Sequence, residues 1–347
     1  MDKTKLALIG CGGMGNHHAP ILAKMKDVEI VGVCDIIEEK AKKLGEKIGA
    51  EWYIDYHDLL TEVDAVWVCT EPFNRKDIVI TSAKAGKHIF TEKPICNNLE
   101  DADEMLKAAE AAGVVYMLGY CLRFWNPYKL MHDTFVSGEL GELVNCWTRR
   151  YMPADMSNKW YGVQEKSGGV ILDFGSHDID WLRWIGGDVK TVMGGAVSVR
   201  PNMHAHEHGQ SLLLFENGGM GASDISWSSW LTESSVGVIG TKGSMIVDGE
   251  GNIRKKIGNN KEIILEEKSA LDINPEGTLG KKGDTGNIEL VDVPGESIQE
   301  HFFRCIRENL VPITHAAEGR KTLATVKAIH ESIALQKAVE VGERGLK

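Results

Sequence analysis

The first thirty-five residues constrain this chain more than any other stretch. Lys5-Leu6-Ala7-Leu8-Ile9 is a short apolar run of the kind that forms a buried parallel strand, and Gly10-Cys11-Gly12-Gly13-Met14-Gly15 follows at once. Asn16 to Lys26 reads as a helix, and Val28 to Cys34 as a second strand that ends in Asp35. Gly10 permits a tight turn, Gly12 lets a pyrophosphate approach the backbone, and Gly15 lets the helix pack closely on the strand. The helix N-terminus offers free N–H groups and a positive dipole to phosphate. Asp35 can accept hydrogen bonds from both ribose hydroxyls of an adenosine.

A glycine turn without a ligand shares the bare pattern. Strand, glycines, helix, strand and acid in this order favour a dinucleotide cradle made of Gly10, Gly12, Gly13, Met14, Gly15 and Asp35. A carboxylate at Asp35 repels a 2′-phosphate, and Ile36-Ile37 supply no arginine to receive one, so NAD is favoured over NADP. Pro20 falls inside the expected helix and should bend its second turn.

At 347 residues the chain is long enough for two domains and a sizeable core. Its net charge of −11, without a basic cluster, argues against nucleic acid and anionic membrane as partners. No apolar run reaches about 18 residues, and a strand within five residues of the start leaves no room for a signal peptide, so neither a span nor a leader is expected. The seven cysteines are scattered, with no C-x-x-C pair. They indicate buried thiols in a reducing compartment, by default the cytoplasm, rather than disulfides or zinc.

Strands and helices alternate as far as Val114–Leu118, which predicts a doubly wound parallel sheet. Its ligand crevice, off the carboxyl ends of the strands, would gather Gly12, Asp35, Thr70 and Glu92. Beyond about Tyr120 the pattern changes to strands without intervening helices, among them Leu143–Tyr151, Val189–Val199, Gln210–Glu216 and Gly221–Ser229. Asn217-Gly218 is a hairpin signal between the last two. The expected fold is therefore α/β: residues 1–122 form a dinucleotide-binding domain. Residues 123–347 form an α+β domain with a large, mostly antiparallel open sheet, and the C-terminal helices are free to pack back on the first. Residues 271–286 read as an exposed loop, and Ser297–Asn309 and Ala316–Val341 as closing helices.

Two places carry chemistry. Glu92-Lys93-Pro94 follows a strand that ends at the crevice, where a lysine can neutralise substrate oxygens or act as acid or base. A surface lysine in a loop is the plain alternative. Asp173-Phe174-Gly175-Ser176-His177 puts a carboxylate and an imidazole four residues apart, on one face if the segment is helical. Such a carboxylate orients the imidazole and suits it as general base for an alcohol. A core histidine satisfied by a nearby aspartate reads the same way. On this reading Asp180 continues the face towards solvent.

At Gly10–Gly15, Glu92-Lys93-Pro94 and Asp173-x-Gly175-x-His177 together, the chain resembles the glucose–fructose oxidoreductase / inositol dehydrogenase (Gfo/Idh/MocA) family. Ala85-Gly86-Lys87-His88, Ser137-Gly138-Glu139-Leu140-Gly141, Phe215-Glu216-Asn217-Gly218 and Gly240-Thr241-Lys242-Gly243 extend the likeness over nearly the whole chain. The resemblance implies a Rossmann domain and a C-terminal domain whose open sheet often makes homodimer or homotetramer contacts. It also implies hydride transfer between a nicotinamide and the hydroxyl-bearing carbon of a sugar or cyclitol. Carried over, His177 takes the hydroxyl proton, Lys93 hydrogen-bonds that hydroxyl and tunes its acidity, Asp173 binds substrate and orients the site, and Arg123 faces substrate. Thr70, Glu92 and Lys93 join the cofactor set.

Where family members often carry a histidine after the fourth strand, this chain has Arg75. His204, His206 and His208 alternate, so on an extended chain they would point one way. The spacing suits a metal, but no second cluster completes a site, and no metal is expected. Trp125, Tyr151, Trp160 and Tyr161 flank the motifs and could stack on a sugar face. Core packing is the plain alternative for each. Trp227 and Trp230 would suit a subunit contact on an open sheet face. Some relatives oxidise a sugar only transiently, eliminate its aglycone and return the hydride. A cofactor-binding sensor without turnover is the alternative from another class.

Overall fold

The computed structural model describes residues 3–157, 159–249, 251–267, 288–291 and 295–342. They divide into two compact units, residues 3–120 with 296–323, and the described residues of 121–295 with 324–342. The loop expected at residues 271–286 lies outside the described residues.

In the first unit, β1 (Thr4–Ile9), β2 (Val28–Cys34), β3 (Glu51–Tyr53), β4 (Ala65–Val68), β5 (His88–Thr91) and β6 (Tyr116–Leu118) form a parallel sheet in the order β3-β2-β1-β4-β5-β6. The order reverses between β1 and β4, the switch point at whose carboxyl ends doubly wound sheets bind their ligands. Leu6, Ala7 and Leu8 of β1 and Val66 and Trp67 of β4 are fully buried, as strands covered on both faces must be. The connecting helices are α1 (Gly13–Leu22), α2 (Glu38–Ile48), α3 (Lys76–Lys84) and α4 (Leu99–Ala112). Asn98 caps α4 through the Asp101 amide, and Gly113 ends it in the left-handed conformation. The glycine loop itself forms the first turn of α1, which begins three residues before the expected Asn16 and ends at Leu22, two residues past Pro20.

The second unit carries α5 (Asn126–Val136), β7 (Leu143–Tyr151), α6 (Gln164–Ser167), α7 (Gly169–Asp173), α8 (Ser176–Gly186), β8 (Val189–Val197), β9 (His208–Phe215) and β10 (Met220–Ser226). It continues with β11 (Glu233–Gly240), β12 (Gly243–Val247), β13 (Ile253–Ile257), β14 (Ile263–Glu267) and β15 (Ile288–Val291). Helix α9 (Ile298–Glu308) belongs to the first unit, and α10 (Ala316–Leu335) leads to β16 (Val339–Glu340) in the second. The ten strands run β15-β14-β13-β12-β11-β7-β10-β9-β8-β16, with β7/β10 and β14/β15 parallel and the other pairs antiparallel. Asn217-Gly218 turns between β9 and β10, with Gly218 at φ 84° donating to the Phe215 carbonyl.

Helices cover one face of this sheet. A Cβ on Gly175 would meet Ile225 at 2.2 Å, and one on Gly186 would meet the Phe215 ring at 2.4 Å, so α8 lies hard on β10 and β9. The opposite face leaves Met193, Leu212, Leu214 and Met220 exposed. They pair across strands as Met193–Leu212 and Leu214–Met220. Trp227, expected on an open face, is fully buried, whereas Trp230 is 95% exposed. The last expected helix stops at Leu335. Gln336 takes φ 51°, and the chain turns so that Val339 pairs with Val192 at the sheet edge. No described helix is long and apolar enough to cross a membrane.

Candidate functional site

The first unit builds a cradle from the glycine loop. Gly10 has φ +97°, and a Cβ there would strike the Cys69 and Thr70 backbone at 2.8 Å. On Gly15 it would meet the Gly10 carbonyl oxygen at 2.0 Å. These two glycines are required by the packing. At Gly12 and Gly13 an added Cβ meets nothing within 4 Å, so the backbone there borders open space. Gly12 caps α1 without a side chain and no acid lies in the first turn, which leaves the leading amides to an incoming anion. Asn16 secures the loop through Nδ2, donating to the carbonyls of Cys11 at 2.8 Å and Gly12 at 3.0 Å. Met14 is exposed on the first turn.

Asp35 directly follows β2, and its carboxylate accepts from the amides of Cys11 and Ile37, both at 2.9 Å. Two backbone donors fix its direction and leave acceptor capacity for hydroxyls. Thr70 follows β4, and its Oγ1 is buried without a hydrogen-bond partner among the described residues. An open phosphate border, an oriented acid and an orphaned hydroxyl fit a dinucleotide.

Lys93 stands beyond β5, half-buried, and its amide donates to Glu92 Oε2 at 3.2 Å. The Glu92 side chain was expected among cofactor contacts. Instead it turns into the unit, where Oε1 meets His18 Nε2 at 2.7 Å. Burial works to raise the Glu92 pKa. The hydrogen bond from His18 and the charges of Lys93 and Arg75 outweigh it, so the carboxyl lies below the usual glutamate value.

In the second unit, Asp173 and His177 do not share one continuous helix. Asp173 ends α7, Phe174 and Gly175 form a turn, and His177 lies in the first turn of α8. The Gly175 amide reaches back to the Val170 carbonyl at 2.8 Å, one residue further than an α-helix allows. Both residues stay half-buried, and His177 Nδ1 lies 3.9 Å from Cys121 Sγ.

Arg150 of β7 organises this turn. It donates to the Phe174 carbonyl at 2.9 Å, lies over the Phe174 ring at 4.1 Å, and forks onto Asp178. Asp180 was expected towards solvent. It is fully buried and receives the fork of Arg123 at 2.7 and 2.8 Å. Arg123, expected to face substrate, is thereby packed away at 3% exposure against Trp184. The motif alone gives no signal of these pairings, whose partners lie 28 and 57 residues apart.

Tyr151 is also redirected. Alternation along β7 puts Arg150 on the helix-covered face and Tyr151 on the opposite one, where its hydroxyl donates to Asp224 at 2.7 Å. Trp125 precedes α5, half exposed, and Trp160 stacks on Tyr161 at 3.9 Å. His204 sits exposed in a bridge to Val163, His206 turns towards His330, and His208 pairs with Asp224 at 3.7 Å on the open face. The chain bends between these histidines rather than extending, and the described residues hold no group of three metal-ligating side chains.

Comparison with known proteins agrees with this architecture. A myo-inositol 2-dehydrogenase of Thermotoga maritima is 30% identical over 72% of this chain and 76% of its own length. A scyllo-inositol 2-dehydrogenase (NAD+) of Bacillus subtilis is 26% identical over 90% and 88%. The crystal structure of an oxidoreductase from Agrobacterium radiobacter, in complex with NAD+, L-tartaric acid and magnesium, shares the fold with a TM-score of 0.84. It is 24% identical and covers 99% of both chains. Residues 4–120 match the oxidoreductase family with the NAD-binding Rossmann fold, and residues 128–246 match the Gfo/Idh/MocA C-terminal domain. With its NAD-binding cradle and both family domains, the chain belongs to the Gfo/Idh/MocA family of oxidoreductases.

Proposed function

We propose that the protein is an NAD-dependent dehydrogenase that oxidises a hydroxyl-bearing carbon of a sugar, cyclitol or glycoside. The observation that carries this reading is the presence of Lys93, Asp173 and His177 together on a chain of this family whose glycine cradle admits a dinucleotide. The inositol dehydrogenases among its relatives support the substrate class.

In this proposal NAD supplies the hydride acceptor at its nicotinamide ring. His177 takes the proton of the substrate hydroxyl, Lys93 donates a hydrogen bond to that oxygen and stabilises negative charge as it develops, and Asp173 holds a neighbouring hydroxyl. Gly10, Gly12, Gly13, Met14 and Gly15 border the pyrophosphate, Asp35 takes the adenosine ribose, and Thr70 offers its hydroxyl to the cofactor. Trp125 and Trp160 are the rings proposed to stack on substrate. Arg123, committed to Asp180, acts as a positioning residue. The open sheet face with Met193, Leu212, Leu214 and Met220 is proposed to join copies into a dimer or tetramer. The seven free thiols suit the cytoplasm.

The test is NADH formation against a panel of sugars, inositols and aryl glycosides, with product analysis on the same samples. Net NADH with a keto product establishes the dehydrogenase. Release of aglycone without NADH moves the protein to transient oxidation, and NAD binding without turnover on the whole panel makes it a sensor.

A further inference from the structure

One guanidinium holds the two loops that follow β4 and β5. Arg75, just ahead of α3, is 2% exposed. Its Nε and Nη2 donate to the Thr70 carbonyl at 3.0 and 2.6 Å, and its Nη1 donates to the carbonyls of Glu92 and Pro94. Buried arginines ordinarily pair with a carboxylate. Here every hydrogen bond of Arg75 among the described residues ends on main-chain oxygen, and two of the three oxygens flank Lys93. The Glu92 carboxylate supplies compensating charge from nearby, opposing the fall in the Arg75 pKa that burial causes.

The other side of the same loop is tied as well. Gln299 of α9 donates its amide to His18 Nδ1 at 3.0 Å, which leaves Nε2 to carry the proton given to Glu92 Oε1, while Glu92 Oε2 accepts the Lys93 amide. The Glu92 carboxylate is closed in so tightly that a Cβ on Gly119 would meet it at 2.9 Å. The Lys93 backbone is therefore fixed from below by a side-chain chain and from the side by a planar fork.

We propose that Arg75 is a positioning residue for Lys93: by gathering the carbonyls of Thr70, Glu92 and Pro94 it holds the Lys93 main chain in one place, so that the ammonium is presented in one place. Three carbonyls in different directions need the fork geometry. A lysine offers a single point of donation and cannot serve all three. The inference rests on the reading of Lys93 as a partner in proton transfer, and its experiment separates the two.

Hydrogen exchange on the full-length Arg75→Lys protein is the first readout. The amides of Glu92 and Lys93 are expected to exchange about tenfold or more faster, with those of β2 and α4 unchanged. Unchanged exchange at Glu92 and Lys93 overturns the proposal whatever the reaction is. Turnover is the second readout, in a double-mutant cycle with Lys93→Ala. Arg75→Lys is expected to lower kcat about tenfold with KM for NAD nearly unchanged, and to add no loss once Lys93 is gone. Equal losses in both backgrounds overturn the action through Lys93. Full turnover in Lys93→Ala alone overturns the acid–base reading, and the exchange result still decides whether Arg75 holds the loop. Arg75→Gln, which keeps two donors and removes the buried charge, serves if Arg75→Lys does not fold.

Discussion

Arg150 and Asp178 meet in a forked ion pair, with Nη2 to Oδ2 at 2.6 Å and Nε to Oδ1 at 2.9 Å, and the aspartate is fully buried. The pair joins β7 to α8 one residue beyond His177, while the same guanidinium holds the Phe174 carbonyl one residue beyond Asp173. A single strand residue thus sets the turn between two proposed functional groups.

Breaking that pair from one side strands a buried charge. Arg150→Met is expected to destabilise the protein by about 3–5 kcal/mol, and Arg150→Met with Asp178→Leu by much less, because the second change removes the stranded carboxylate. Urea unfolding of the three proteins checks this ordering. Equal losses in the single and double variants would refute it.

His177→Ala and Lys93→Ala should each lower turnover about a hundredfold or more while NAD still binds. Steady-state kinetics beside cofactor titration separate the two effects. A variant that keeps its turnover removes that residue from the mechanism.

The glycine loop allows a paired test. Gly15→Ala drives a Cβ to 2.0 Å from the Gly10 carbonyl and should destabilise the protein by several kcal/mol. Gly12→Ala meets no protein atom, so it should leave the melting temperature within a degree or two and weaken NAD about tenfold or more. Calorimetry with NAD titration reads both, and intact NAD affinity in Gly12→Ala would place the pyrophosphate elsewhere.

Asp35→Ala removes the carboxylate held by the Cys11 and Ile37 amides. Affinity for NAD should fall and discrimination against NADP should shrink. An unchanged ratio of the two dissociation constants sinks the role given to Asp35.

Acid sensitivity should trace in part to His330. Burial first, then the charges of Lys327 and His206, push its pKa from 6.5 down to about 4, against a smaller opposing effect from its hydrogen bond to Gly168. Its Nε2 and the Nδ1 of His206 are both buried without partners among the described residues, and burial lowers His206 as well. Between those two pH values the unfolded chain binds the proton and the folded one does not. Stability is therefore complete above about 6.5 and falls as pH drops towards about 4, by about 3 kcal/mol for His330. Urea midpoints at pH 7 and pH 5 should converge in His330→Asn, and a pH dependence equal to that of the unaltered protein would refute the assignment.

Local sequence was enough for the dinucleotide cradle, since each of its demands is met within a few residues. Gly10 supplies a positive φ, Gly15 a missing Cβ, and Asp35 an acid at the end of the next strand. The alternation of strands and helices and the hairpin at Asn217-Gly218 are equally local, because backbone period and turn chemistry are short-range properties. The family motifs likewise stand in the sequence as written.

Only the tertiary structure decided which way side chains face and which charges meet. One position along β7 separates Arg150, under the helices, from Tyr151 on the open face, and the sequence does not say which face is covered. Arg123 and Asp180 find each other across 57 residues, and Arg75 reaches carbonyls 17 and 19 residues away. A buried charge is satisfied by whatever the fold brings beside it, and long-range packing, not spacing along the chain, chooses that partner.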